Sequence, residues 1–386
     1  MKNSKHYTAY YAFFAVFVLF CSLCAFFIYH KNYLKIFVVY YKPAPIIKTN
    51  ILEPIQAGRL ISDTPSRAGV FTPKEISWLK ENMIGDETGD NISHLNRYFA
   101  EITALYWINS NTSYPYVGMF QYRRYLDINP NHYYPIVEYP SMSFGHLGIN
   151  HLKGFSKLFI EKLNLEKKHI LPILKTHDII VAEPIKLNTY KQYKQDHIIK
   201  DLDLALQIIQ QKYPYMYEFA KETLNNDDGF YPSNIFITKK EILNNYSNWL
   251  FSILLPVYNQ IKTDLKNRSN EQKLALAYLS ERLFTIYLRY HKKNHGLKIK
   301  ELPFVLASDF FLPPINSLYI KLKTPLFEDI FIKHPNYANK ICGYNNQYYH
   351  CGNFEVLPDN RLKIKWDNKK ISYFKHKTDN VFELEN

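Results

Sequence analysis

Apolar residues first form an unbroken run in this chain, and then recur at helical or strand spacing. From Tyr7 to Tyr29, YTAYYAFFAVFVLFCSLCAFFIY holds 23 residues without a charge. As a helix it spans about 34 Å, enough to cross the core of a bilayer. Lys2, Lys5, Lys31 and Lys35 flank it, and tyrosines gather at both ends as interfacial anchors do. A cleaved signal peptide has a shorter apolar core followed by small residues, a pattern absent here. The run reads as a single uncleaved transmembrane helix, and its balanced flanks leave the orientation open.

Next, KIFVVYYKP (35–43) is a β-branched and aromatic run closed by proline, the mark of a buried strand. Residues 50–59 read as a helix and residues 76–93 as a loop, while SHLNRYFAEITALYWIN (93–109) has apolar positions at helical spacing. YPYVGMFQY (114–122) is a second strand, followed at once by RRYLD, and THDIIVAEP (176–184) is a third. Residues 189–212 are helical. FYPSNIFITKK (230–240) is a fourth strand running into the helix NNYSNWLFSILLPVYNQI, and EQKLALAYLSERLFTIYLRY (271–290) closes the main domain.

This alternation predicts an α/β fold, a mainly parallel sheet flanked by helices. Ligands of such sheets bind at the carboxyl ends of the strands, where Tyr40 to Pro43, Gln121 to Asp127 and Glu183 fall. In the tail, residues 347–374 alternate apolar and polar around turn signals and predict a small β-meander. The expected division is a membrane anchor at 1–30, a main domain at 31–300 and a C-terminal extension at 301–386.

Composition narrows the partners. With 47% hydrophobic and 22% charged residues, the chain of 386 is globular. Its 33 tyrosines and 26 phenylalanines suit wet clefts and membrane-near surfaces. The formal charge of +13 admits anionic partners, but no zinc knuckle, RNP box or Lys/Arg tract supports nucleic acid. Four cysteines are too few for a disulfide scaffold, and Cys21 and Cys24 sit in the apolar run. Cys342 and Cys351 can pair only in an oxidising compartment, and a reduced, cytosol-facing domain is the simpler reading.

Candidate chemistry begins in ENMIGDETGDNISHLNRYFAEITALYW (81–107), which sets two glycines and four carboxylates ahead of an aromatic helix. Either Asp90 or Ser93 caps a helix whose free N–H groups face an anion, or the stretch is an ordinary capped helix behind an exposed acidic loop. In RRYLD, one arginine points into the cleft to grip phosphate, or both pair on the surface with neighbours such as Asp127. Walker, G-x-G-x-x-G, H-E-x-x-H and G-x-S-x-G signatures are absent. DLD (201–203) imitates a metal motif but lies in a helical stretch, so it reads as a solvated helix face. Asp227 and Asp228 precede a strand, in a position open to a base or to an ordinary turn. Glu281 and Arg282 lie in an amphipathic helix, where an ion pair is the default. His197 is a lone histidine, either a base or structural.

Taken together, KIFVVYYKP, EPIQAGR, the 81–107 box, VGMFQYRRYLD, YKQYKQDHIIKDLDLALQII, YPSNIFITKKEI and SERLFTIYL resemble a bacterial family, domain of unknown function 4422. That family is found among capsular-polysaccharide and lipopolysaccharide biosynthesis proteins and is commonly labelled as glycosyltransferases. The segments follow the family's order from residue 35 to about 290, and the anchor and the tail lie outside the resemblance.

The resemblance implies a GT-A-like fold with a nucleotide-sugar over the strand ends. It implies that Tyr40 and Lys42 flank the base, and that Asp86, Asp90, Asn91 and Asn96 line the nucleotide or sugar pocket. Tyr122 and Asn234 also become donor-binding candidates. Where related enzymes carry D-x-D, this chain carries Gln-Tyr-Arg-Arg, so Arg123 and Arg124 take over neutralisation of the diphosphate. No metal or other cofactor is expected, although a divalent cation stays open. The family's usual His-Tyr-Arg-Arg is replaced here at Gln121. Base candidates are Glu281, Asp228 and His197.

The resulting expectation is a hexosyltransferase-like enzyme at the bacterial inner membrane, single-pass, with a cytoplasmic catalytic domain. It would use a nucleotide-sugar donor and a lipid-linked saccharide acceptor, and no nucleic acid. The alternatives are transfer of another activated group and a non-catalytic nucleotide-sugar-binding member.

Overall fold

A computed structural model of the chain describes residues 33–129 apart from 45 and 66–68, then 136–139, 142–147, 160–161 and 163–307. In the tail it describes 319–323, 328–333, 340–345, 348–357, 361–366, 370–378 and 381–384. The expected anchor from Tyr7 to Tyr29 lies outside the described residues. Among the described residues, no helix is long and apolar enough to cross a membrane. The chain forms two compact units, Met1–Asn129 with Gly154–Phe304, and Pro130–Lys153 with Val305–Asn386.

The first unit is built on a central strand, β1 (Leu34–Tyr40), in which every residue but Lys35 is buried. Burial on both faces explains its unbroken apolar run. On one side β1 pairs in parallel with β2 (Leu52–Gln56), which pairs in parallel with β3 (Ile84–Gly85). On the other side it pairs in parallel with β4 (Tyr116–Gln121), Val38 lying opposite Phe120. Beyond β4 come β7 (Phe236–Lys239), β6 (Ile179–Ala182) and β8 (Ile299–Leu302). The order is β3-β2-β1-β4-β7-β6-β8, with β7 alone running against its neighbours. The short β5 (Arg124–Leu126) folds back on the end of β4.

Helices cover this mostly parallel sheet. Phe37 and Val39 of β1, Val117 and Met119 of β4, and Phe236 of β7 share one core cluster with α2 (Ile102–Asn111), α5 (Ile199–Lys212), α6 (Pro214–Asn225), α7 (Lys240–Leu265) and α8 (Ala275–His295). The intervening Ile36, Val38 and Tyr40 are equally buried, on the opposite face. Lys240 opens α7 and donates to the carbonyls of Ile108 and Asn109 (3.2 and 2.7 Å), satisfying orphan acceptors in the last turn of α2.

Several expected elements differ. Residues 50–59 contain β2 rather than a helix: Pro54 is incompatible with a helix interior, and a strand buried on both faces shows no period of two. The expected loop at 76–93 holds α1 (Pro73–Asn82), begun by a capping box in which Thr72 and Glu75 satisfy each other's backbone N–H groups. The 93–109 helix is interrupted at Ala100 (φ 45°, ψ −128°), which separates a short turn at Asn96–Phe99 from α2. The 189–212 segment splits into α4 (Thr189–Asp196) and α5 at His197–Ile198. Asp201, expected on a solvated face, is 3% exposed and held by Arg268 through two contacts of 2.5 and 2.8 Å. A helix α3 (Lys167–Thr176) precedes β6.

In the second unit, strands Ile136–Tyr139 and Met142–Leu147 pair antiparallel. The tail holds more than a meander: seven strands between Tyr319 and Leu384 form a closed barrel. Neighbours are antiparallel except the closing pair, where Lys321 runs parallel to Val381. Cys342 and Cys351 stand opposite each other in register.

Candidate functional site

The carboxyl end of β4 carries a polar constellation that joins β4, β5, α2, α8 and the segment ahead of β7. Tyr122 and Arg123 turn the chain so that Arg124 stands opposite Gln121. The Gln121 side chain is buried and joins three elements. Its Nε2 donates to the Ser233 carbonyl (2.7 Å) and to Glu101 Oε1 (3.2 Å), and its Oε1 accepts from Arg124 Nη1. A glutamine here supplies two donors and one acceptor, and all are used.

Ser233 and Asn234 arrive from the segment ahead of β7 with left-handed backbones, φ 68° and 52°. Such conformations are uncommon for residues other than glycine, cost about 1–3 kcal/mol each and persist where neighbours enforce them. The enforcing contacts come from α8 and from Glu101. Ser233 N–H donates to Glu281 Oε1 (2.6 Å), and Asn234 Nδ2 donates to Ser280 Oγ (2.9 Å) and Glu101 Oε1 (3.0 Å). Asn234 is 1% exposed, and its Oδ1 has no partner among the described residues.

Glu101 stands at the start of α2, just after the Ala100 break. Burial pushes its carboxyl up from the usual range to about 7; Glu281 pushes the same way, while Asn234 and Arg124 pull down. Both oxygens of Glu281 are occupied, Oε2 by Arg282 at 2.7 Å. Arg282 is 2% exposed, donates to Gln192 and to the Tyr278 carbonyl, and lies against the Tyr193 and Phe230 rings. It is a buttress that fixes Glu281, which in turn fixes the Ser233 turn.

The two arginines of the turn differ. Arg124 is tied to Gln121. Arg123 lies over the Tyr122 ring, and its buried Nε has no acceptor among the described residues. Tyr122 packs on Tyr40 and Tyr41, and burial raises its phenol. Tyr40 is fully buried, its hydroxyl accepting from Ile47 N–H (3.2 Å), so it shapes the floor of the strand end. Lys42 is half-buried near the Tyr41 ring.

The other sequence candidates make no hydrogen bond to this constellation's side chains among the described residues. Asp86 is 0% exposed and its carboxylate accepts from Gly58 N–H, Arg59 N–H, Ser93 Oγ and Thr103 Oγ1 at 2.9, 3.1, 2.5 and 2.6 Å. Gly58 has φ 72°, and any Cβ there would meet Asn96. Asn96 itself donates to the Ala100 carbonyl and Thr103 Oγ1. These residues tie the loop to itself. Asn91 folds back on the Glu87 and Gly89 carbonyls.

Asp90 accepts from Tyr106, and its backbone exchanges hydrogen bonds with Asn111 at the far end of α2. Ten residues of helix separate Asn111 from Glu101, about 15 Å. Neither Asp90 nor Ser93 caps α2. Asp228 is exposed in a turn, where its carbonyl accepts from Arg289. His197 stacks on Tyr278 at 4.0 Å, and burial, followed by Arg282, lowers its imidazole to about 4. Among the described residues, no group of three His, Cys, Asp or Glu side chains is arranged to hold a metal.

The structure therefore brings Arg124, Glu281 and Asn234 together around Gln121, the strand-end residue that stands where the family's histidine is usual, and adds Glu101, Ser233 and Ser280, which were not singled out as site residues. Glu101 did carry a sign. It is the only charged residue between Arg97 and Arg123, alone in a run of aromatic and aliphatic neighbours.

A family profile described as Domain of unknown function (DUF4422) matches residues 35–293. Among solved structures, the apo form of WbbM, a bifunctional glycosyltransferase, is similar with a TM-score of 0.60 and 25% identity. The match covers 76% of this chain and 49% of that one, so this chain spans about half the length of its structural neighbour. No curated protein matches.

Proposed function

The chain belongs to the family described as domain of unknown function 4422, and from that premise we propose that it is a glycosyltransferase. In this reading it moves a sugar, a hexose in the expected case, from a nucleotide-sugar to a growing surface polysaccharide on a lipid-linked acceptor. The observation that carries the reading is the Gln121–Arg124 turn at the carboxyl end of β4, bonded to Glu101 and to the left-handed Ser233–Asn234 turn. Strand ends of this kind are where α/β sheets bind ligands.

Glycosyl transfer develops negative charge on the departing diphosphate, and preorganised cations lower the cost of that charge. Arg123 and Arg124 are the cations at this strand end. The unpaired Nε of Arg123 supports an anion as its missing partner. Tyr40, Tyr122 and Lys42 are proposed to border the nucleotide. Donor binding through arginines needs no metal. A tenfold fall in affinity on chelation, about 1.4 kcal/mol, would reinstate a cation.

The run from Tyr7 to Tyr29 is proposed to hold the domain at the inner membrane with its catalytic face in the cytoplasm. Full-length protein should then sediment with membranes and the chain lacking residues 1–30 should not. A mature protein starting near residue 25 would overturn the anchor.

The direct test of function is a panel of nucleotide-sugars, scored for hydrolysis and for transfer to saccharide acceptors. Turnover of at least one donor is expected. Nucleotide affinity without turnover would identify a binding member, and release of a different activated group would identify another transferase.

A further inference from the structure

At the strand end, Asn234 has a buried acceptor left over, and it is hydrogen-bonded to a carboxyl group that titrates near neutrality. The orientation of the Asn234 amide is set by its neighbours. Ser280 Oγ donates to the Ala277 carbonyl at 2.6 Å, so it accepts from Asn234 Nδ2. The other Nδ2 hydrogen goes to Glu101 Oε1 at 3.0 Å. A flipped amide would turn its oxygen toward the carboxylate. Asn234 Oδ1 is consequently a buried acceptor that no described residue satisfies. Buried acceptors are rarely left in that state, and a ligand hydroxyl is the donor that fits.

Glu101 shares the position. Its Oε1 is gripped by the Gln121 and Asn234 amides, neither of which can take up a proton. The charged groups facing it are Arg124 from β5 and Glu281 from α8, which act in opposite directions. Glu281 is unsuited to proton exchange, because Ser233 N–H and Arg282 already occupy its oxygens.

This inference rests on the sugar-transfer reading above. We propose that Glu101 is the catalytic base, taking the proton from an acceptor hydroxyl that Asn234 Oδ1 holds in place. As the acceptor O–H bond breaks, the proton passes to Glu101 and the oxygen forms its bond to the anomeric carbon. The bond from that carbon to the phosphate oxygen breaks, and its electron pair departs with the nucleoside diphosphate toward Arg124. A single displacement of this form inverts the anomeric centre. A carboxyl titrating at about 7 is matched to proton transfer at neutral pH.

The experiment compares wild type with Glu101→Gln, which keeps an oxygen for both amide donors but cannot accept the proton. Turnover should fall by about 10²–10⁴-fold, with KM for the nucleotide-sugar and the melting temperature not impaired. The wild-type rate should rise with pH through an acid limb near 7, and the variant should lack that limb. A wild-type rate that is flat across this range overturns the assignment even if the variant fails to fold. An active wild type beside an equally active Glu101→Gln overturns the base alone. A wild type inert toward every nucleotide-sugar overturns the sugar-transfer reading and this inference with it.

Discussion

Asp86 and Glu101 are carboxylates held near the start of the same helix, yet their surroundings differ in kind. Asp86 receives four hydrogen bonds and has no exposed surface. Glu101 Oε1 receives two amide donors, and burial keeps the carboxyl near neutrality's edge, at about 7. One carboxylate is a tie that closes a loop. The other is held in a site that leaves its neighbour Asn234 short of a partner. Dense hydrogen bonding marks structure here, and incomplete hydrogen bonding beside strained backbone marks the functional candidate.

That contrast can be broken in several ways. The largest effect should come from Asp86→Ala, which orphans two backbone N–H groups and the Ser93 hydroxyl in a buried loop and leaves Thr103 only the Ala100 carbonyl as acceptor. A loss of about 4 kcal/mol or more is expected from unsatisfied groups of this number, measured by denaturant unfolding. A variant as stable as wild type would remove the structural role.

Glu101→Gln should act in the opposite direction. The folded carboxyl titrates above its usual 4.5, so the unfolded chain ionises first and wild-type stability falls as pH rises from about 4.5 through about 7. Replacing it removes that loss. The variant should gain on the order of 3 kcal/mol on wild type between acid and pH 8, read as a pH-dependent difference in melting temperature. A constant difference across that range would show that the carboxyl is not held near neutrality by burial.

The smallest effect belongs to Asp90→Ala. Its carboxylate accepts only from the exposed Tyr106 hydroxyl, so about 0.5–1 kcal/mol of stability is at stake. Turnover should be unchanged, because Asp90 sits by Asn111 at the far end of α2.

Much of the architecture was legible in the apolar patterning. β1, β4, β6 and the helices α5, α7 and α8 all lie where strand-like and helical runs predict them. β2 was not legible, because a strand buried on both faces loses the alternation that separates it from a helix. α1 was missed although Thr72-Pro73-Lys74-Glu75 is a capping-box signature with proline at the first helical position.

The candidate site divides along the same line. Arg124 was legible because strand ends are favoured ligand positions, and Asn234 only through the family resemblance. Asp86 and Asp90 looked equally promising, since residue type cannot distinguish a carboxylate that binds a ligand from one that binds its own loop. Glu101 was hidden by the Ala100 break. Without that break the run from 93 to 109 reads as one helix, and Glu101 falls inside it rather than at the N-terminus of α2.

The most direct test sets the strand end against the loop in one measurement. Arg124→Ala and Asp90→Ala would be purified beside wild type, and turnover of the active nucleotide-sugar would be recorded with the melting temperature of each. Arg124→Ala should keep its fold and lose about 10²–10³ in rate, or about 2.7–4 kcal/mol of transition-state stabilisation, with Arg124→Lys recovering little of it. Asp90→Ala should turn over like wild type. A fully active Arg124→Ala beside a folded but inactive Asp90→Ala would contradict the account and move the site to the loop.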